Sequence, residues 1–75
     1  MVKSAVEFLV KKLVDAPHEV QVTQEQRETK IVVSIQVATA DRGKVIGKDG
    51  QTIRSIRALL NAIQPDDQEI IVEIA

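Results

Sequence analysis

A chain of 75 residues, 44% of them hydrophobic, carries enough apolar material for one small core and too much for a disordered segment. It has no cysteine and a single aromatic residue, Phe8, which excludes a disulfide framework, a cysteine zinc site and a multi-ring platform for stacking bases. The net charge of −1 excludes a uniformly basic surface.

Val2, Ala5, Val6, Leu9 and Leu13 recur at helical spacing, with Lys3, Glu7, Lys11 and Lys12 between them, and predict an amphipathic first helix. Pro17 biases Ala16 away from helical geometry, so the helix is expected to stop near Asp15. The stretch 2–14 is too short and too charged to span a membrane and lacks the apolar block of a signal peptide. A cytoplasmic protein is expected. Val20 and Val22 alternate with Gln21 and Thr23 as a short strand, and polar residues 24–29 predict the turn after it. Ile31, Val33, Ile35 and Val37 then mark one face of a second strand, rich in β-branched residues and paired with the first as a hairpin.

Asp41 is placed to cap a short helix that carries Val45 and Ile46 and ends at Gly47. A further helix begins near Gly50, puts Ile53, Ile56, Leu60 and Ile63 on one side, and is broken by Pro65, Asp66 and Asp67. Residues 68–74 close the chain as a strand, with Ile70, Val72 and Ile74 facing one way. The order α-β-β-α-α-β predicts an α+β domain over residues 1–75, a three-stranded sheet with helices packed on one face. Val10, Val14 and Ile71 fall outside the main stripes and are read as candidates for a subunit interface.

The informative segment is Val45-Ile46-Gly47-Lys48-Asp49-Gly50-Gln51-Thr52-Ile53. Glycine admits backbone conformations closed to other residues and lets a ligand approach closely. The helix that starts here turns its unpaired amides and positive dipole end towards the loop, where phosphate oxygens are the natural guest. On spacing alone, a tight turn between two helices explains the glycine pair more simply. Nucleotide hydrolysis is disfavoured. Gly43 to Lys48 has one residue too few for a P-loop, and Asp49 stands where Ser or Thr would meet magnesium.

This segment resembles the signature of KH domains, in which I-G-x-x-G-x-x-I joins two helices, and the element order resembles the type II KH arrangement. The likeness runs over the whole chain, whose length and Arg42–Lys48 run are similar to short stand-alone KH proteins of bacteria. It implies single-stranded RNA binding, with Gly47, Lys48, Asp49 and Gly50 against the sugar-phosphate backbone and a footprint of about four nucleotides, a general property of such loops. It implies that Ile46 and Ile53 floor a base groove and that Arg54, Arg57 and Lys44 reach phosphates, with Arg42 a weaker candidate. It also implies a role as an RNA chaperone or post-transcriptional regulator, self-association, and pairing with a larger RNA-binding protein of the KhpB (Jag) type. Asp49 departs from a phosphate-friendly loop and is expected to weaken binding.

Charge distribution agrees with this reading. Residues 42–57 hold five basic side chains against Asp49 alone, a local balance of +4, whereas the remainder carries five basic and ten acidic residues. His18 is the single histidine, follows Pro17 and is paired with no second catalytic group by motif, so neither an enzyme nor a cofactor is expected. An adaptor that dimerises or docks to a larger RNA-binding partner, with little RNA affinity of its own, stays open as the alternative.

Overall fold

The computed structural model describes residues 2–63 and 68–75. Val6, Val10 and Val14 recur every fourth residue and form the buried edge of α1 (Val2–Leu13), which packs over the first strand. The Val14 amide still bonds the Val10 carbonyl, so the helical stripe continues one residue past the element. This stripe is rotated from the predicted one. Val10 and Val14, expected to be left over, lie in the core, while Leu9 is half-buried and Leu13 is exposed. The reason is tertiary: the sheet under α1 selects its inward face, and the Leu9–Leu13 flank looks into a groove beside the last helix.

The sheet has the order β1 (Gln21–Arg27), β2 (Lys30–Gln36), β3 (Glu69–Ile74). β1 runs antiparallel to β2 with Val22 opposite Ile35, and β2 runs parallel to β3 with Ile31 beside Ile70. A central strand is covered more completely than its neighbours, and β2 buries Ile31, Val32, Val33 and Ile35 in close succession. β1 is longer than expected. Residues 24–27, assigned to a turn, continue the strand, and only Glu28 and Thr29 turn the chain. The ladder on this edge needs backbone groups rather than apolar side chains, and Glu28 takes a positive φ of 52° without a glycine to advertise it.

α2 (Arg42–Ile46) and α3 (Gln51–Ile63) connect β2 to β3 and carry the glycine segment between them. Ile56 and Leu60 are buried, Ile53 is half-buried, and Ile63, expected on the same apolar side, is 66% exposed. The predicted break at Pro65, Asp66 and Asp67 lies outside the described residues.

Two side chains tie these helices down. Asp41 does not cap α2 with its carboxylate, as the sequence suggested. It is only 3% exposed, and its Oδ2 accepts the Ala16 amide at 3.0 Å, joining the segment after α1 to the start of α2. Asn61 docks α3 on β3 through both ends of its amide: Nδ2 donates to the Ile70 carbonyl at 3.1 Å, and Oδ1 accepts the Ile70 amide at 2.9 Å.

The reversal between α2 and α3 depends on glycine. Gly47 ends α2 at φ 77°, ψ 172°, a region that side-chain-bearing residues essentially do not enter. A Cβ there would lie 2.7 Å from the Thr52 Cβ and 2.8 Å from the Thr52 backbone nitrogen, with the Thr52 hydroxyl closer still. Gly50 also has positive φ, 73°, but a Cβ on it would meet only the Arg54 Nη1 at 3.7 Å.

Urea unfolding therefore separates the two glycines. Gly50→Ala is expected to lose about 1 kcal/mol, from backbone strain alone. Gly47→Ala adds overpacking against an immovable backbone atom and is expected to lose at least about 2 kcal/mol. The same measurement on Asp41→Ala, which strands the Ala16 amide, should show a loss of roughly 1–3 kcal/mol. Asp41→Asn keeps an acceptor and should lose less.

Candidate nucleic-acid interface

The loop holds three left-handed residues within four positions: Gly47, Asp49 at φ 55°, and Gly50. Among non-glycine residues, aspartate and asparagine tolerate this conformation best, because their short side chains find local polar partners. Asp49 therefore has a conformational reason to be in the loop, independent of any ligand. The Gly47 amide donates to the Gly43 carbonyl at 2.9 Å, the Gly50 amide to the Gly47 carbonyl at 3.1 Å, and the Gln51 amide to the Lys48 carbonyl. The amides of Lys48 and Asp49 have no backbone acceptor among the described residues. Successive amides running through a left-handed residue form a concavity suited to an anion, and the 13-residue α3 starts immediately behind this one.

The cations divide into groups. Lys48 is exposed at the loop itself, and the Arg54 guanidinium lies over Gly50, one turn into α3. Arg57, one turn further on, and Arg42, at the start of α2, are exposed. Among the described residues these four make no ion pair. Lys44 is different: its Nζ donates to the Asp15 carboxylate. That hydrogen bond holds the Lys44 ammonium above the usual lysine range against the opposing effect of desolvation, and the charges of Asp15 and Asp41 reinforce it. Lys44 therefore stays charged at neutral pH, but with an anion already beside it.

Ile46 and Ile53 flank the loop and are both half-buried; Ile53 also packs against the core. Neither is sealed inside, so each keeps an edge towards solvent next to the glycines. None of residues 46–50 lines the apolar groove of about 460 Å³ between α1 and α3. That groove begins beside the loop at Gln51 and Thr52 and runs past Ser55, Ile56 and Leu59, facing Leu9 and Leu13. Exposed apolar side chains continue along the same two helices, with Leu59 54% and Phe8 62% exposed. The fold thus brings Gly47, Lys48, Asp49, Gly50 and Arg54 together, flanks them with Ile46 and Ile53, places Arg57 farther along α3, and gives Lys44 a competing partner. Sequence reasoning missed Thr52, whose packing on Gly47 holds the turn, and Asp15. No local signal points to either one, because each acts through a contact that only the folded chain creates.

Among the described residues no cluster of three or more histidine, cysteine or acidic side chains is arranged to hold a metal ion. No helix among them is long and apolar enough to cross a membrane.

Comparison with known proteins identifies the family. The family described as KhpA/KhpB, KH domain, matches residues 3–74. The chain is 40% identical over 73 residues to the RNA-binding protein KhpA of Clostridium acetobutylicum, covering 96% of this chain and 97% of that protein. It is 40% identical over 72 residues to the RNA-binding protein KhpA of Thermotoga maritima, with 96% of each chain covered. The RNA-binding protein KhpA of Chlamydia trachomatis is 42% identical over 65 residues, covering 87% of this chain and 83% of that protein. No solved structure gives a significant match. With the match running through both glycines and nearly the full chain, this protein belongs to the KhpA/KhpB KH-domain family, which is not a family of enzymes.

Proposed function

We propose that the chain is a single-stranded RNA-binding protein that seats the sugar-phosphate backbone on the loop at residues 47–50. The observation that carries this reading is the pair of amides on the exposed residues Lys48 and Asp49, which have no backbone acceptor among the described residues while internal bonds hold the chain on either side of them. Lys48 and Arg54 supply positive charge at the same spot, and Ile46 and Ile53 offer apolar edges to the bases. The three relatives are RNA-binding proteins by name, which supports the choice of ligand. A footprint of about four nucleotides follows from the general behaviour of such loops. With one aromatic residue in the chain, and that residue on α1, stacking contributes little, so binding is weak and tolerant of sequence. Such a module suits an RNA chaperone or post-transcriptional regulator of the cytoplasm.

Weak binding by one loop calls for a second module. Joining two modules raises apparent affinity by about 10² to 10⁴ without a new contact. Pairing with a second copy, or with a larger KhpB (Jag)-like RNA-binding protein, is part of the proposal. The exposed apolar residues along α1 and α3 support it, as does the family description, which couples KhpA with KhpB.

The fold dictates which variants test the loop. Gly47 is a poor probe, since its substitution disturbs α3 whatever it does to RNA. Lys48 is exposed, and a side chain on Gly50 would make only ordinary contact with Arg54, so these two are the informative positions. Fluorescence anisotropy with a labelled single-stranded RNA should give a dissociation constant in the micromolar range or weaker, roughly −8 kcal/mol or less favourable. The slope of log affinity against log salt should be about −1.4 to −2, as expected for two or three phosphates at ~0.7 each. Gly50→Asp with Lys48→Gln should abolish binding while the circular dichroism spectrum is kept. Unchanged binding by that variant would remove the loop from the site and favour the adaptor reading.

A further inference from the structure

The five cations of residues 42–57 are not equivalent. Lys44 is the one of the five that the described residues hold in an ion pair, and its partner, Asp15, comes from the far side of the hairpin in sequence. This is more than a chance meeting of long side chains. The residue after Asp15 is Ala16, whose amide is bound by the buried Asp41 carboxylate. Asp41 immediately precedes α2, and Lys44 lies three residues further on, within the same turn of chain. Asp41 therefore fixes the backbone that presents Asp15, and α2 presents Lys44 opposite it. Asp15 keeps a side chain 79% exposed and Lys44 one 46% exposed, so solvent and any arriving polyanion reach the pair.

We propose that Asp15 sets the affinity of the nucleic-acid site by occupying the Lys44 ammonium. Its carboxylate takes the position of a phosphate oxygen, and an RNA backbone gains Lys44 only by displacing it. The inference rests on the reading of the loop as the nucleic-acid site. Exchanging one anion for another on the same ammonium leaves little net gain, so Lys44 adds less to wild-type binding than its charge suggests. Asp15 acts on RNA through Lys44 and touches none itself; it is a positioning residue. Its removal frees a cation that α2 already holds close to the loop.

The test is a double-mutant cycle read by anisotropy with a labelled ten-nucleotide single-stranded RNA at several salt concentrations. Asp15→Asn is expected to tighten binding about two- to fivefold, the range of an exposed ion pair. The salt slope should steepen by about 0.7, one further phosphate neutralised. Both changes should vanish when Asp15→Asn is made in a Lys44→Gln background. Asp15→Ser should behave as Asp15→Asn does, which guards against an effect peculiar to one side chain. Glu19→Gln removes an exposed acid from the next turn and should give a smaller gain that persists without Lys44. A gain of equal size in the Lys44→Gln background, or no gain at all, overturns the assignment. Gly50→Asp tells the two possible failures apart. If it abolishes binding while Asp15→Asn yields no Lys44-dependent gain, only the role of Asp15 falls. If it binds like wild type, the loop reading falls and this inference falls with it.

Discussion

Close packing of the Gly47 backbone against Thr52 is the contact on which the rest of the arrangement depends. The chain must leave α2, reverse, and begin α3 within four residues, and it does so by bringing the Gly47 Cα against the first turn of the following helix. A side chain at that point collides with backbone, and the dihedral angles are closed to other residues in any case. Asp49 and Gly50 complete the reversal in left-handed conformations. Once those angles are set, the direction of each amide follows. Gly47, Gly50 and Gln51 give theirs to carbonyls three or four residues back, and those of Lys48 and Asp49 have no backbone acceptor among the described residues. On the proposed reading, the seat for an anion is a by-product of a tight way to join two helices, with charge added around it.

The remainder of the fold holds that joint against the sheet. Val45 on α2 and Ile56 and Leu60 on α3 bury their side chains with Val33, Ile35 and Ile70, which supplies most of the attachment. One polar side chain fixes the angle of each helix. Asp41 binds α2 to the segment after α1, and Asn61 binds α3 to β3 by satisfying both backbone groups of Ile70. Polar groups buried with partners fix geometry because any other arrangement leaves them unpaired. Charge is sorted by the same packing: the basic stretch lies on α2, the loop and α3, while Glu69 and Glu73 are exposed on the opposite face of the sheet. The molecule thus carries a basic side although its net charge is slightly negative, an asymmetry of the kind that steers a polyanion.

Much of this was legible before folding, for identifiable reasons. β2 and β3 were plain because β-branched residues at every second position have few other uses. The helix–loop–helix segment was plain because both of its glycines take positive φ, a backbone conformation that marks glycine in the sequence itself. What escaped depends on contacts across the fold. The inward face of α1 is chosen by the sheet, so Val10 and Val14 belong to the core although Leu9 and Leu13 made the more obvious stripe. The extent of β1 is decided by its ladder with β2, to which Gln24, Glu25, Gln26 and Arg27 contribute backbone alone. Asp41 looked like a helix cap and instead serves an amide 25 residues earlier, and Lys44 looked free and instead meets a carboxylate 29 residues away. Asp49 stood out as an acid among basic residues, and what the sequence did not show is that the backbone is left-handed there, which gives it a conformational reason besides.

The most direct measurement is a nitrogen-15 NMR titration of the folded protein with short single-stranded RNA, following each backbone amide. An outward seat on the loop predicts that the amide signals of Lys48 and Asp49 shift most. Smaller changes should follow at Gly50, Gln51 and Arg54, with the exposed sheet face around Glu25 and Glu73 unmoved. Shifts centred on α1 or on the sheet, with Lys48 and Asp49 silent, would contradict it.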